Sequence, residues 1–384
     1  MKSIAIIPLR KGSKGIPGKN KKKFLGKPLF TWVLGAAITS DLDEIYIATD
    51  DEEIRTFVEK EYHWCNKVSV YQRSSESASD TASTEMVMQE FVEQYLNDWN
   101  ILCLLQATSP LTTKEDINLA LQQIKSGKDS AISMVKTHRF IWDANGMPIN
   151  YQIANRPRRQ DFEGLWMENG AVYATSAKAW NENAVRISGS IGFVEMKEDT
   201  LIEIDSQTDW EIAERLLQKK LQSNRMPSKI KYLVLDVDGV FTDGTVYYDA
   251  NGEAMKRFDM KDGMGLEILR QHGVEVMVIT SENSALVQKR MEKLQIKTVF
   301  LGVKDKYNRL QHFFAENKIT WNEVAYIGDD VNDMPCLCAS GWSFTPQNAT
   351  NSVKSVVDLV LNKNSGNGAI REAVEWVLKY NQRF

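Results

Sequence analysis

Two aspartates one residue apart, Asp236 and Asp238, stand in LVLDVDGVFTDG (Leu233 to Gly244), directly after an apolar run of strand length. In open α/β sheets, ligands gather at the carboxyl ends of strands. An aspartate there can act as a nucleophile on phosphorus. A second carboxyl two residues on can protonate the leaving oxygen and later activate water. That chemistry needs a hydroxyl donor, a fixed cation and a further acid, and each follows a strand candidate. Thr280 follows Val274–Ile279, Lys306 stands in GVKDK, and Asp329 opens the acidic run of YIGDDVND, with Asp330 and Asp333 behind it. Mg2+ prefers one or two carboxylates plus phosphate oxygens. It would neutralise the charge that otherwise repels an anionic nucleophile from an anionic substrate.

A second group of residues suits phosphate differently. IIPLRKGSKGIPGKN, Ile6 to Asn20, runs from a short buried strand into a loop dense in Gly, Ser and Lys. It fits neither the P-loop pattern G-x-x-x-x-G-K-S/T nor the Rossmann pattern G-x-G-x-x-G. Its own parts are Arg10, Lys14 and Lys19 as fixed cations, and Gly12, Gly15 and Gly18, around Ser13, as places where backbone N–H groups can approach an anion. Pro17 stiffens the turn. This suits a polyphosphate whose leaving diphosphate needs stabilising; the plain alternative is a basic surface loop. Further pieces are RSSESASDTAST, with Arg73, Asp80 and Thr84, and LLQATSPL, where Gln106 ends a strand and its amide can read a base edge. RPRRQD offers Arg158 and Gln160 as a carboxylate clamp, and ENGAVY places Asn169-Gly170 before a strand. LIEIDSQTDW is read with Glu203 and Asp205 on one face of a strand, two acids able to hold Mg2+ on a triphosphate.

The elements that must position these residues alternate. Strand candidates Ile4–Leu9, Ile45–Ala48, Ile101–Leu105, Ala131–Val135 and Ala171–Ala174 are interspersed with helical periodicity at Thr84–Leu96 and Asp116–Ile124; Trp210–Leu221 closes this half. QSNRMPSK then breaks the pattern. A second alternation has strands at Tyr232–Leu235, Val274–Ile279, Val299–Leu301, Val324–Ile327 and Val356–Val360. Its helices are Leu266–Gln271, Ala285–Leu294, Asp305–Glu316 and Ala369–Tyr380. YYDANGEAMKRF reads as a hairpin turning at Asn251-Gly252. The expectation is an α/β chain of two domains with mainly parallel sheets, 1–221 and 230–384, joined by a linker at 222–229.

The 384 residues and 43% hydrophobic content allow two ordinary domains. A net charge of −4 and a pI of about 5.8 argue against a general nucleic-acid binder. No apolar run approaches the ~18 residues of a membrane span, and the start is too short in apolar residues for a signal peptide. Cys65, Cys103, Cys336 and Cys338 lack zinc spacing and read as reduced, buried thiols of a cytoplasmic protein. Lys21–Lys23 reads as a solvated face.

From Lys231 onward the motifs resemble the haloacid dehalogenase phosphatase superfamily. The resemblance implies Asp236 as nucleophile, Asp238 as acid/base, Thr280 and Lys306 holding the phosphoryl group, and Mg2+ on Asp236, the Asp238 carbonyl and Asp329. The short stretch GTVYYDANGEAMKRFDMKDGMG leaves no room for a cap. A site without a cap is open to water, and a neighbouring subunit is expected to close it; with the tail SGNGAIREAVEWV these features are similar to the 3-deoxy-octulosonate 8-phosphate (KDO 8-phosphate) phosphatases, which are tetramers. That group reads Thr-Gly-Arg where this chain has Thr280-Ser281-Glu282, which implies another sugar acid, a nine-carbon 9-phosphate.

From Met1 to Leu221 the run R-x-G-S-K-G-x-P-x-K-N, Arg10 to Asn20, resembles the CMP-sialic acid synthetases (acylneuraminate cytidylyltransferases). The resemblance places Arg10, Lys19 and Asn20 on the CTP triphosphate and nucleotide, Arg73, Thr84 and Gln106 on the cytidine side, and Arg158, Gln160 and Asn169 on the sugar acid, with Gly12, Ser13, Lys14, Asp80 and Gly170 as further substrate-binding residues. Asp205 is the better metal ligand, and Glu203 stands where family members often have Asp. Thr112 stands where an Arg is common. Together the two halves imply a cytoplasmic bifunctional enzyme, a homotetramer acting on small molecules with CTP and Mg2+, and binding neither nucleic acid nor membrane. Two alternatives stay open: a cytidylyltransferase whose C-terminal domain is only a tetramerisation module, or KDO, legionaminic or pseudaminic acid as the sugar.

Overall fold

Six of the seven residues of Ser3–Leu9 (SIAIIPL) are buried. Ile4 and Ile6 pack into one apolar cluster, while Ala5, Ile7 and Leu9 pack into another. A strand covered on both faces has no polar side to show, so its apolar residues run on without alternation. The computed structural model describes residues 1–12, 15–95 and 98–384. Ser13 and Lys14 of the glycine-rich loop, and Leu96 of the expected helix Thr84–Leu96, lie outside them.

The described chain divides into two compact units, Met1–Lys22 with Pro28–Ala213, and Lys23–Lys27 with Glu214–Phe384. In the first, Ser3–Leu9 lies third in a seven-stranded sheet, in the order Val68–Gln72, Glu44–Thr49, Ser3–Leu9, Ile101–Leu105, Leu165–Ser176, Ser130–Thr137, Ile191–Met196. Leu165–Ser176 runs antiparallel to both neighbours; the other pairings are parallel. Ser3–Leu9 has Glu44–Thr49 on one side and Ile101–Leu105 on the other. Chain connections therefore leave it in opposite directions, and the crevice beyond Leu9 and Leu105 is a topological switch point.

The second unit repeats the principle with six parallel strands, in the order Thr298–Phe300, Glu275–Ile279, Tyr232–Leu235, Val324–Ile327, Trp342–Thr345, Leu359–Val360. Leu233 and Leu235 face one cluster and Val234 the other. Asp236, Thr280 and Asp329 all follow the carboxyl ends of neighbouring strands. The four cysteines are buried, and none is in a disulfide.

Where the chain differs from expectation, local bonding gives the reason. Glu203 and Asp205 are not on a strand: they follow the 3-10 turn Glu198–Leu201, and the Ile204 N–H reaches the Thr108 carbonyl at 3.4 Å, in a loop and not on a sheet edge. The hairpin Thr242–Asp249/Gly252–Phe258 pairs Asp249 with Gly252, so it turns at Ala250-Asn251, one residue early. The Asp249 carboxylate accepts the Asn251 N–H at 2.7 Å and closes the turn, and Gly252, at φ +117°, takes up the left-handed exit. The last helix of the first half continues to Ser223. Strands Val68–Gln72, Ile191–Met196 and Trp342–Thr345 also form beyond those expected. Of the lysines read as a solvated face, Lys21 instead meets Asp51 at 2.9 Å and Glu53 at 2.8 Å.

Within the second unit Lys27 is 2% exposed and meets the equally buried Asp305 at 3.2 Å. Burial pulls the Lys27 pKa down to about 8, against the pull of Asp305. Asp305 also caps the helix Lys306–Asn317 through the Asn308 N–H. Removing one partner of a buried pair strands the other charge, so Lys27→Met is expected to lower stability by about 3 kcal/mol. Adding Asp305→Asn should restore part of the loss. Urea midpoints of the two variants test this; an unchanged midpoint for Lys27→Met would refute it.

Candidate active sites

The loop after Leu9 and the loop after Leu105 border a cleft of about 300 Å3 in the first unit. Of the residues singled out from sequence, Arg10, Gly12, Lys19, Asn20, Arg73, Asp80, Thr84 and Gln106 all line it. They come from three separate stretches, brought together by the order of the strands. The loop is wound by its own backbone: the Lys21 and Lys22 N–H groups both reach the Gly18 carbonyl, and Gly18 sits at φ +62°. Gly15 lies where a Cβ would run into the Asp205 carbonyl, so only glycine fits without a shift.

The charges of the cleft are mostly positive. Arg10, partly exposed, meets the exposed Asp80 at 2.6 Å. Lys19 is far less exposed and donates to the Ile204 carbonyl at 2.5 Å and to Asp205 at 3.0 Å. Arg73 is 7% exposed and donates to the Ser77 carbonyl. Its Nε is a buried donor with no hydrogen-bond partner in the protein. Burial pulls its pKa below the ordinary arginine value. A buried cation with a spare donor suits an anionic or carbonyl oxygen of a ligand.

Arg158, Gln160, Asn169 and Gly170 are not among the residues lining this cleft. Arg158 is exposed and holds Asp161 at 2.6 Å, and Gln160 is exposed beside it. Asn169 is 1% exposed, bonded to Ser133 at 2.7 Å and Thr200 at 3.0 Å. Gly170, at φ +67°, approaches the Glu203 carboxylate so closely that a Cβ would strike it. Burial first, and Asp205 second, push the Glu203 pKa up. Two neighbouring acids, one of them raised by the other's charge, are a donor set that a divalent cation fits.

The second unit holds a tighter cluster. The Lys306 ammonium, with a fully buried side chain, sits 2.8 Å from Asp236 and 2.7 Å from Asp333. Asp333 also accepts the Tyr326 hydroxyl at 2.7 Å and the Asp329 N–H at 3.2 Å. One oxygen from each of Asp236, Asp329 and Asp333 lies within 4.8 Å of the others. Burial, then Asp333, push the Asp236 pKa up against the pull of Lys306. Burial, Asp333 and Asp236 together push Asp329 up to about 8. Asp329 Oδ1 is buried with no hydrogen-bond partner. An orphaned carboxylate oxygen beside a nucleophile-type aspartate is what a bound Mg2+ would complete.

Thr280 is buried at the end of its strand, its hydroxyl accepting the Glu282 N–H at 3.3 Å. Ser281 bonds the Val303 carbonyl and accepts from Asn332, and Glu282 is exposed. Asp238 is partly exposed and is gripped by Lys256 at 2.7 Å. Sequence reasoning missed three participants. Tyr326 lies inside a strand run and gives no polar signal. Lys256 and Glu253 lie on the hairpin, where the strand's two-residue alternation would have turned Lys256 inward between Met255 and Arg257.

The cytidylyltransferase family profile matches residues 4–230, and that of the haloacid dehalogenase-like hydrolases matches 302–373. N-acylneuraminate cytidylyltransferase B of Danio rerio is 32% identical over 391 residues, covering 99% of this chain and 91% of its own. N-acylneuraminate cytidylyltransferase of Oncorhynchus mykiss is 33% identical, covering 97% and 88%. The 3-deoxy-D-manno-octulosonate 8-phosphate phosphatase of Haemophilus influenzae is 39% identical over 163 residues, 42% of this chain and 87% of that one. The chain thus belongs to the cytidylyltransferase family, among the N-acylneuraminate cytidylyltransferases, and carries a C-terminal region of the haloacid dehalogenase phosphatase type.

Proposed function

We propose that this chain is a bifunctional enzyme that removes phosphate from a sialic acid-type sugar acid and then activates the freed sugar with CTP. The observation that supports it most is that one chain carries both a cation-lined cleft and a complete lysine-bridged acid cluster. The functional division is proposed as 1–221 and 230–384, with 222–229 as the connection.

In the second unit, an Asp236 oxygen forms a bond to phosphorus as the bond from phosphorus to the sugar oxygen breaks, and Asp238 gives that oxygen its proton. Asp238 then takes a proton from water while the water oxygen bonds phosphorus. The bond to Asp236 breaks, and inorganic phosphate leaves. Lys306 and Thr280 orient the phosphoryl oxygens. Asp236, the Asp238 carbonyl and Asp329 would hold Mg2+, which neutralises the charge gathered there. In the first unit, the anomeric hydroxyl oxygen attacks the α-phosphorus of CTP as the bond to the leaving diphosphate breaks, and the hydroxyl proton passes to water. Arg10, Lys19, Asn20 and the loop around Gly12, Ser13 and Lys14 orient the triphosphate, with Asp205 and Glu203 for its Mg2+. Arg73, Asp80, Thr84 and Gln106 take the cytidine side. Arg158, Gln160, Asn169 and Gly170 are assigned to the sugar acid.

Two single changes separate the sites. Asp236→Asn should abolish phosphate release while CMP transfer stays within about twofold, and Lys19→Met should lower CMP transfer by roughly 10^2-fold and spare the phosphatase. Loss of both activities in either variant, with assembly intact, would refute two independent sites.

The exposed Glu282 carries the sugar preference, because it stands where the octulosonate phosphatases carry Arg. Phosphate release in Mg2+ from N-acetylneuraminate 9-phosphate, its deaminated analogue and KDO 8-phosphate should favour a nine-carbon substrate. Glu282→Arg should shift the preference toward the eight-carbon one. Turnover of none of the three, with CMP transfer intact, would leave the C-terminal unit without this role.

The hairpin Thr242–Asp249/Gly252–Phe258 exposes Tyr247, Tyr248 and Met255. Large apolar side chains gathered on one hairpin favour burial against another copy, and a homotetramer is the assembly proposed. Light scattering on the purified chain should return four times 43.7 kDa; a monomer mass would exclude it.

A further inference from the structure

Lys256 sits in the middle of the strand Gly252–Phe258, with Met255 exposed before it and the Arg257 side chain largely exposed after it. The two-residue period of a strand therefore turns Lys256 inward. Its side chain is 1% exposed. A lone ammonium at such a position costs free energy unless it is paired, and Lys256 is paired on three oxygens. Its Nζ lies 2.7 and 2.9 Å from the two oxygens of Asp238 and 2.9 Å from Glu253. Glu253 in turn accepts the hydroxyl of Ser284, which caps the helix Ala285–Lys293 just after the Thr280–Glu282 loop. The hairpin thus holds the Asp238 carboxylate by both of its oxygens and is itself fastened to the neighbouring loop.

We infer that Lys256 is a positioning residue for Asp238, fixed by Glu253, and that it holds this carboxylate for the attack of water on the phosphorylated Asp236. The inference rests on the phosphatase reading above. In that step the water oxygen bonds phosphorus, one water proton goes to Asp238, and the bond from phosphorus to the Asp236 oxygen breaks. An ammonium that contacts both oxygens holds the carboxylate in place and limits its movement away from the site. The first step makes a different demand when the leaving group is a stable phenolate, because such a group departs without a proton.

The test is rapid-quench kinetics of the full-length protein with Mg2+ and p-nitrophenyl phosphate. Lys256→Met should release close to one nitrophenolate per chain in a burst, then turn over roughly 10^2-fold more slowly than the unaltered protein. Lys256→Arg should keep most of the rate, and Glu253→Gln should show a weaker form of the same burst. A structural staple alone would slow both phases together, and that result would overturn the inference. So would a Lys256→Met steady rate equal to that of the unaltered protein. If Lys256→Met does not fold, Glu253→Gln decides: a burst sustains the inference, and an unchanged rate or an equal loss in both phases overturns it. An unaltered protein that hydrolyses neither this ester nor a sugar phosphate would sink the phosphatase reading itself, and the inference with it.

Discussion

The second unit is organised around one buried ammonium. Lys306 touches Asp236 and Asp333 with its side chain out of water, and Asp329 completes the cluster. Three carboxylates against one ammonium leave an excess of two negative charges in a place where water cannot screen them. Such an excess is costly unless the acids take up protons or a cation joins them, and the upward shifts of Asp236 and Asp329 express it. The surrounding backbone gives way to this cluster. A Cβ on Gly239 would strike the Asp329 carboxylate, and one on Gly328 would strike Asp333. Asp333 is taken up by Lys306, Tyr326 and the Asp329 N–H, so it serves to fix the others, while Asp236 and Asp329 retain oxygens for a ligand.

Much of this was readable from residue order because the chemistry sits where strands end. Asp236, Thr280 and Asp329 each follow an apolar run, and apolar runs of strand length are the strongest signal in a buried parallel sheet. The cleft of the first unit was readable for the same reason, with Arg10 and Gln106 directly beyond two neighbouring strands. What escaped had a physical cause. Val68–Gln72 and Ile191–Met196 interleave exposed and buried residues, so their runs are broken. Glu203 and Asp205 alternate with Ile202 and Ile204 as strand residues would, yet their backbone meets a loop. Asn169 reads as a polar residue before a strand, but it lies within Leu165–Ser176, where its amide bonds the Ser133 and Thr200 hydroxyls. Lys256 escaped because a lysine in a hairpin is ordinarily solvated, and its alternation with Met255 and Arg257 carries no apolar signal.

The two units handle phosphorus from opposite electrostatic sides, and this decides where each nucleophile must come from. In the first unit the cleft is lined by Arg10, Lys19 and Arg73, and the acid among its lining residues, Asp80, is tied to Arg10. A cleft of that sign gathers a polyphosphate, and it leaves no carboxylate standing ready to attack it. The nucleophile then has to arrive with the second substrate, as a hydroxyl does, and the reaction is a transfer. In the second unit the sign is reversed: carboxylates dominate, Lys306 is already shared between Asp236 and Asp333, and Lys256 is taken up by Asp238 and Glu253. Such a site repels a phosphate until a divalent cation balances it. In the reaction proposed, Asp236 would then be the nucleophile, with water as the final acceptor. The same placement of residues at strand ends therefore suits transfer where fixed cations prevail, and hydrolysis where acids prevail and a bound metal would make up the difference.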